Sequence, residues 1–501
     1  MSSMRYQLPE EVKTILNKFT SAGFQIYIVG GAVRDLLMDR EVKDWDFTTD
    51  AKPEEILKLF PEGFYDNKFG TVGIPGKQSH LEGDNTNTPG HLPGGHNEIM
   101  EITTMRKEGK YTDFRHPSYV GWTDKIEEDL ARRDFTINAI ALGTPSSTLH
   151  LPTRSHLRGG DRLNSRGHLG GGLNDGGEQQ MELVDPFHGQ QDIKDKLIRT
   201  VGDPNSRFKE DALRLIRAIR IATELEFDID PETFKAIKEN AKLIGEVAEE
   251  RIRDELFKLL SSMNPYIGIV KLREAGILQI ILPELEKCFG IVQEGPKHDR
   301  VYDIGEHSLL TLKHTPSSDP LVRLAALLHD VGKPDTAKTA PDGNVTFYNH
   351  DIVGGAIVLK IARRLNLSKK QADKLYRLVR WHLFTVDERQ TDSAIRRFIK
   401  NVGKENIDDM MALRVGDRLG GGTVKAISWR MKKYQERIKE VLKKPFSLSD
   451  LKVNGKDVME VLKIKPGPRV GEILNQLFEE VLEDASKNTR EYLLETIKKS
   501  V

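Results

Sequence analysis

Gly30-Gly31-Ala32-Val33-Arg34-Asp35, followed nine residues on by Asp44-Trp45-Asp46, is the stretch that decides how this chain is read. The apolar run Ile26-Tyr27-Ile28-Val29 before it reads as a buried strand. Two adjacent glycines let backbone N–H groups approach a phosphate closely, and Arg34 adds fixed positive charge. Asp44 and Asp46 lie two apart, so on an extended segment both carboxylates point to one face. Hard oxygen ligands so placed suit Mg²⁺, which completes its shell with water and substrate phosphate. The combination predicts phosphoryl or nucleotidyl transfer with two metal ions. For either motif alone, a tight turn followed by a solvated acidic loop explains it as well.

The chain has 501 residues, too many for one hydrophobic core, and about three or four domains are expected. Charged residues make up 30% and hydrophobic ones 38%, which suits a helix-rich protein of aqueous surroundings. There is no apolar run of the roughly eighteen residues a membrane span needs, and no charged-then-apolar leader. Cys288 is the only cysteine, which excludes a disulfide framework within the chain and fits a cytoplasmic location. Formal net charge is zero, so any nucleic-acid surface must be local.

Up to about residue 200 short β-rich segments (27–29, 71–74, 99–105 and 137–142) alternate with helices. From roughly residue 205 onward apolar residues recur at helical spacing, as in Ala212, Leu215, Ile216 and Ile219. Two segments fit neither pattern. Residues 78–97 and 144–181 are rich in Gly, Asn, Ser and His, and echo one another in Ser79-His80-Leu81 and Ser155-His156-Leu157. Each reads as a surface insertion interrupting a hairpin, because closure entropy grows only logarithmically with loop length; metal binding by their histidines is the alternative.

Downstream comes Asp129-Leu130-Ala131-Arg132-Arg133-Asp134-Phe135-Thr136-Ile137-Asn138. Its arginines suit ribose or phosphate, with Asp134 expected to orient them. Asp185-Pro186-Phe187-His188-Gly189-Gln190-Gln191-Asp192 reads as a turn entering a helix. In Glu210-Asp211-Ala212-Leu213-Arg214, continued by Arg217 and Arg220, three-residue steps predict one helical stripe. Asp211 and Arg214 would then offer an acceptor and a donor to the edge of a base, with Arg217 and Arg220 extending charge toward phosphates. An intrahelical ion pair on a solvated face would look the same. Glu101 is either a third carboxylate or a strand residue facing solvent.

In this order the motifs resemble those of the class II tRNA nucleotidyltransferase and bacterial poly(A) polymerase family, over nearly the whole chain outside the two insertions. The resemblance implies an α+β multidomain protein. Its head is polymerase-β-like, a small mixed sheet with helices, followed by an all-α neck, body and tail. The expected boundaries are 1–200 for the head, 201–265 for the neck and 266–300 for linker helices; 301–430 would form the next domain and 431–501 a tRNA-binding tail. Asp44 and Asp46 would be catalytic and hold Mg²⁺, with Glu101 as the candidate third catalytic carboxylate. Gly30, Gly31, Arg34, Asp35, Arg133, Asp134, Asn138, Asp211, Arg214, Arg217 and Arg220 would contact the nucleotide. The partners implied are the tRNA 3′ end, CTP and ATP. Residues 67–74 lie closer to the CCA-adding branch than to poly(A) polymerase, the runner-up, and the retained segment 105–117 is one that CC-only enzymes are expected to lack.

Residues 300–420 carry a second constellation, His307, His329-Asp330, His350, His382 and Asp417. These N and O donors suit one or two divalent metals, transition ions or Mg²⁺. Leu328-His329-Asp330-Val331-Gly332-Lys333 resembles the HD phosphohydrolase superfamily, which implies metal-dependent hydrolysis of phosphate esters, with Lys333 placed to meet a phosphate. A protein whose main activity is this hydrolysis, with a head that only binds RNA, is a further alternative.

Overall fold

The computed structural model describes residues 8–65, 70–75, 99–109, 118–143, 181–294, 301–341, 345–387, 389–442 and 448–499. The readings of residues 67–69, 78–97, 110–117 and 144–180 therefore lie outside the described residues. Contacts divide the chain into two units, one of residues 1–218 and 226–240, the other of 219–225 and 241–501.

The first unit is built on a seven-stranded mixed sheet. Its strands run in the order Phe64–Tyr65, Thr71–Pro75, Ile99–Thr104, Asp46–Thr49, Ile26–Val29, Ala141–Gly143, Glu182–Val184. The interior strand Ile26–Val29, fifth in this order, is buried along its whole length. Its side chains alternate as a period of two requires: Ile26 and Ile28 join one apolar cluster, Tyr27 and Val29 another. The helix Glu10–Ser21 covers the first face with Val12, Ile15, Leu16 and Phe19, a spacing that gathers them into one stripe. Glu10 and Glu11 in its first turn and Lys18 in its last complement the helix dipole.

Two sequence expectations are corrected here. Residues 137–142 do not form one strand: Thr136–Asn138 is a 3₁₀ turn, and pairing resumes only at Ala141–Gly143. Inside the turn the Asn138 amide donates to Phe135 O, and its side-chain amide to Asp134 Oδ1, bonds that displace the strand ladder. Residues 211–220 are not one helical stripe either. The helix Pro204–Glu210 ends at Asp211, which is extended (φ −142°, ψ 106°), and a new helix, Arg214–Leu225, follows. Asp211 Oδ1 accepts from Leu213 N, the local bond that favours such a break.

The second unit is helical apart from two short hairpins, Val292–Glu294 with Val301–Asp303 and Lys338–Thr339 with Val345–Thr346. Its last three helices, Gly455–Leu462, Pro468–Glu483 and Arg490–Lys499, enclose their own apolar cluster, including Val458, Leu477, Val481 and Leu493. Buried Arg396, on the helix Asp392–Val402, donates to the carbonyls of Val481 and Leu482. It thereby satisfies groups that a helix end leaves without partners. No helix among the described residues is long and apolar enough to cross a membrane.

Candidate active site and candidate metal centre

At the head of the sheet, three motifs distant in sequence converge. Asp46 opens its strand, pairs with Val29 on one side and stands in register with Glu101 on the parallel neighbour. Residues in register across a sheet share a face, so the two carboxylates lie side by side. Asp44 precedes the strand and is exposed. The helix Gly31–Leu37 starts immediately after the strand Ile26–Val29, through Gly30 at φ +71° and ψ −138°. That backbone conformation favours glycine. A methyl group on Gly30 would also lie 3.2 Å from Arg133 Nη1 and 3.6 Å from Asp46 Oδ2, so the glycine leaves room where both side chains meet.

Burial pushes the Asp46 carboxyl up to about 6; Arg133 pulls it down, while Glu101 and Asp44 add to the rise. Arg133 Nη2 donates to Asp129 Oδ2 at 3.2 Å, and its Nε is buried without a hydrogen-bond partner among the described residues. A buried donor of this kind is one that a ligand oxygen would satisfy. Nearby, Arg34 binds Asp35 through Nε and Nη2 and donates from Nη1 to Asn138 Oδ1 at 3.0 Å. Asn138 in turn donates to Asp134, whose other oxygen accepts from Arg217 at 2.7 and 3.0 Å. Burial alone would raise Asp134, but Arg217 and Arg214 hold it well below the usual carboxylate range.

The roles within this constellation differ in places from those expected. Asp134 holds Arg217 and Asn138, whereas the adjacent arginines are oriented by Asp129, which receives Arg132 Nη2 at 2.6 Å as well as Arg133. The signal for Asp129 was its spacing, three and four residues before the arginines on the helix Ile126–Ala131. Buried Arg214 bonds Glu210 Oε2 at 2.5 Å and the carbonyls of Arg207 and Arg132. Arg220, expected to extend charge toward a phosphate, has its guanidinium held by Glu255 at 2.7 Å and Glu224 at 2.6 Å. In the following motif Asp185 accepts from the amides of Gly189 and Gln190, tying the turn to the helix Gly189–Lys194.

The second unit gathers all six residues of the other constellation around Asp330. Its Oδ2 lies 3.1 Å from His329 Nε2 and 3.6 Å from His307 Nε2; its Oδ1 lies 3.3 Å from His350 Nε2 and 3.7 Å from His382 Nε2. Asp417 Oδ1 stands 3.2 Å from His307 Nε2. The donor atoms form two triads, His307–His329–Asp330 and Asp330–His350–His382, each compact enough for a metal ion. The Nδ1 atoms of His329, His350 and His382 meet the carbonyls of Ala326, Phe347 and Val379 at 2.7–2.9 Å. An Nδ1–H bound to a carbonyl leaves the lone pair on Nε2, the atom aimed at the centre, as metal-ligating histidines require. The Nε2 atoms of His350 and His382 are buried and make no hydrogen bond among the described residues. These orphaned acceptors, in a set of N and O donors, fit a divalent cation.

Charge is tightly balanced there. Burial pushes His382 down to about 4, so its neutral, ligating form prevails at neutral pH. Burial would lower His329 too, yet Asp330 and Asp417 raise it. Lys333 does not reach outward: buried, it binds Asp330 Oδ2 at 2.6 Å and Gln293 Oε1 at 2.5 Å. Gly332 permits the close approach of the helix His350–Arg364, because a methyl group on it would lie 2.1 Å from His350 O.

Comparison with known proteins gives four family models in chain order. Residues 26–153 match the Poly A polymerase head domain, and 226–289 the Probable RNA and SrmB- binding site of polymerase A. Residues 300–417 match the HD domain, and 360–497 the tRNA nucleotidyltransferase domain 2. The A-adding tRNA nucleotidyltransferase of Deinococcus radiodurans is 35% identical over 373 residues, 72% of this chain and 76% of that protein. The CCA-adding enzyme of Pediococcus pentosaceus is 27% identical over 98% of each chain. In fold, the chain is similar to the Bacillus stearothermophilus CCA-adding enzyme in complex with CTP, with a TM-score of 0.63, 23% identity and coverage of 99% and 98%.

Proposed function

Since the chain belongs to the tRNA nucleotidyltransferase family, we propose that it adds C, C and A from CTP and ATP to the 3′ end of tRNA without a nucleic-acid template. The observation that carries this reading is the in-register pair Asp46 and Glu101 beside Arg133 and the Gly30 turn. Asp44 and Asp46, with Glu101 beside Asp46, would hold Mg²⁺. When bound, two such ions supply charge neutralisation at the attacking 3′-hydroxyl and at the departing pyrophosphate. Arg133, with its unpartnered Nε, and Arg34 bind the triphosphate, and the glycine turn admits it. Asp134 and Asn138 keep Arg34 and Arg217 in place. For Asp211 and Arg214 to read a base, Arg214 exchanges its bond to Glu210 for the base edge.

The A-adding relative supports a second reading, addition of the terminal A alone. The experiment offers tRNA transcripts ending before CCA, or after CC, with CTP alone, ATP alone or both. Two additions with CTP and a third only with ATP are expected. Addition only to the CC-ended transcript would move the protein to A addition, long ATP-only tails to poly(A) synthesis, and no extension would overturn the reading.

The rate of addition should fall below about pH 6, because a proton on Asp46 displaces the cation it holds. Metal and proton compete, so raising Mg²⁺ is expected to move that limb to lower pH. The sign for stability is opposite. A carboxyl whose folded pKa is raised stabilises the fold below its unfolded value and loses that contribution as pH rises through about 6. A pH–rate profile at two Mg²⁺ concentrations, with melts in chelator, checks both.

The second site hydrolyses phosphate esters, with 2′-, 3′- or cyclic phosphates at RNA ends as its chemical class. Its histidine nitrogens suit a transition ion such as Mn²⁺ or Ni²⁺ better than Mg²⁺.

A further inference from the structure

Glu108, Arg132, Asp129, Arg133 and Asp46 alternate in charge from a surface hairpin to the catalytic carboxylates. We propose that this row is a positioning relay, through which the hairpin Arg106–Glu108 with Val120–Trp122 sets the pose of Arg133 at the nucleotide site. The inference rests on the reading of the head as a nucleotidyltransferase.

The geometry is continuous. Glu108 Oε1 accepts from Arg106 Nε at 2.8 Å and lies 3.6 Å from Arg132 Nη1. Arg132 closes on Asp129 Oδ1 through Nη2 and Nε at 2.6 and 3.0 Å. The other oxygen of Asp129 receives Arg133 Nη2 at 3.2 Å, and Arg133 Nη1 reaches the space above Gly30 that Asp46 Oδ2 also borders. The Arg106 amide donates to Asp129 as well, so the first residue of the hairpin is tied to the same carboxylate. The Asp129 side chain has no solvent exposure and that of Glu108 only 6%. Water therefore competes little with these bonds, and a buried network responds as a unit when one member changes. Asp129 touches no substrate in this scheme. It acts by holding Arg133, and a misplacement of about 1 Å at such a group can cost on the order of a hundredfold in rate.

The test is a double-substitution cycle of Glu108→Gln and Asp129→Asn, read as kcat and KM for CTP on tRNA transcripts lacking CCA. Asp129→Asn is expected to lower kcat by roughly a hundredfold. Glu108→Gln, which makes no contact at the nucleotide, should lower kcat by about tenfold with KM little changed. In the doubly substituted protein the two losses should fail to multiply, because either one already uncouples Arg133. Replacing either buried carboxylate also costs stability, so kcat is read well below each variant's melting temperature, and the kcat loss of Glu108→Gln there decides the matter. Losses that multiply, or a Glu108→Gln effect confined to KM or to melting temperature, would overturn the relay while the parent enzyme still adds nucleotides. An unsubstituted protein that extends no tRNA would overturn the functional reading and the relay with it.

Discussion

Replacing Asp46 by Asn is expected to lower nucleotide addition by at least about a thousandfold, since a metal site supplies several kcal/mol of transition-state stabilisation. The substitution keeps the shape of the side chain and its strand pairing with Val29 and Glu101. It removes the negative charge and one of the two oxygens. Glu101 and Asp44 remain, but neither occupies the strand position that faces Arg133. Arg133 keeps its partner Asp129, so no uncompensated charge is left buried. The fold should be no less stable than the parent at neutral pH, because the ionised carboxylate is already strained by burial and by two neighbouring acids. Loss of addition together with an unchanged or raised melting temperature is therefore the signature expected. Steady-state extension of a tRNA transcript lacking CCA, alongside a thermal melt, measures both. A variant that retains a tenth of the parent rate would remove Asp46 from the catalytic role.

Much of this site was legible in the sequence because local rules and tertiary structure agree. Ile26–Val29 is apolar throughout and lies between two covered faces. The glycine turn after it is placed by its own backbone requirement, and the order of histidines and aspartates in 300–420 pointed to one centre. What was not legible depends on partners distant in sequence. The register of Asp46 with Glu101 joins strands 55 residues apart, and no periodicity encodes a parallel pairing. Arg220 read as a cation awaiting phosphate because Glu255 lies 35 residues away on another helix. Asp134 and Asp129 are both near the arginines in sequence. Only the turn at Thr136–Asn138 decides that Asp134 faces Arg217 instead. Asp211 looked helical on spacing alone, and its side-chain bond to Leu213 N ends the helix there.

Replacing Asp330 by Asn should empty both metal triads at once, whereas His382→Ala should weaken only the second. The difference follows from how the carboxylate divides its oxygens. Oδ2 faces His307 and His329, while Oδ1 faces His350 and His382. An amide at this position lacks the charge and offers one acceptor oxygen, so metal affinity is expected to fall by at least about a hundredfold, the upper range seen when even an outlying partner of a ligand is lost. A second effect accompanies it. Burial would raise Asp330, yet His329 and Lys333 hold its carboxyl well below the ordinary range. Without that anion the buried ammonium of Lys333 keeps Gln293 as its hydrogen-bond partner among the described residues, and breaking a buried pair from one side costs about 3–5 kcal/mol. Asp330→Asn with Lys333→Met removes both charges together and should recover much of the lost stability without restoring metal. Metal content after dialysis against Mn²⁺ or Ni²⁺, a melt for each variant, and hydrolysis of a 2′,3′-cyclic nucleotide separate these effects. Nucleotide addition by the head should persist in all three variants. Retention of two equivalents of metal by Asp330→Asn would refute the shared-ligand arrangement. Loss of addition in a stable Asp330→Asn protein would show instead that the second centre takes part in the first reaction.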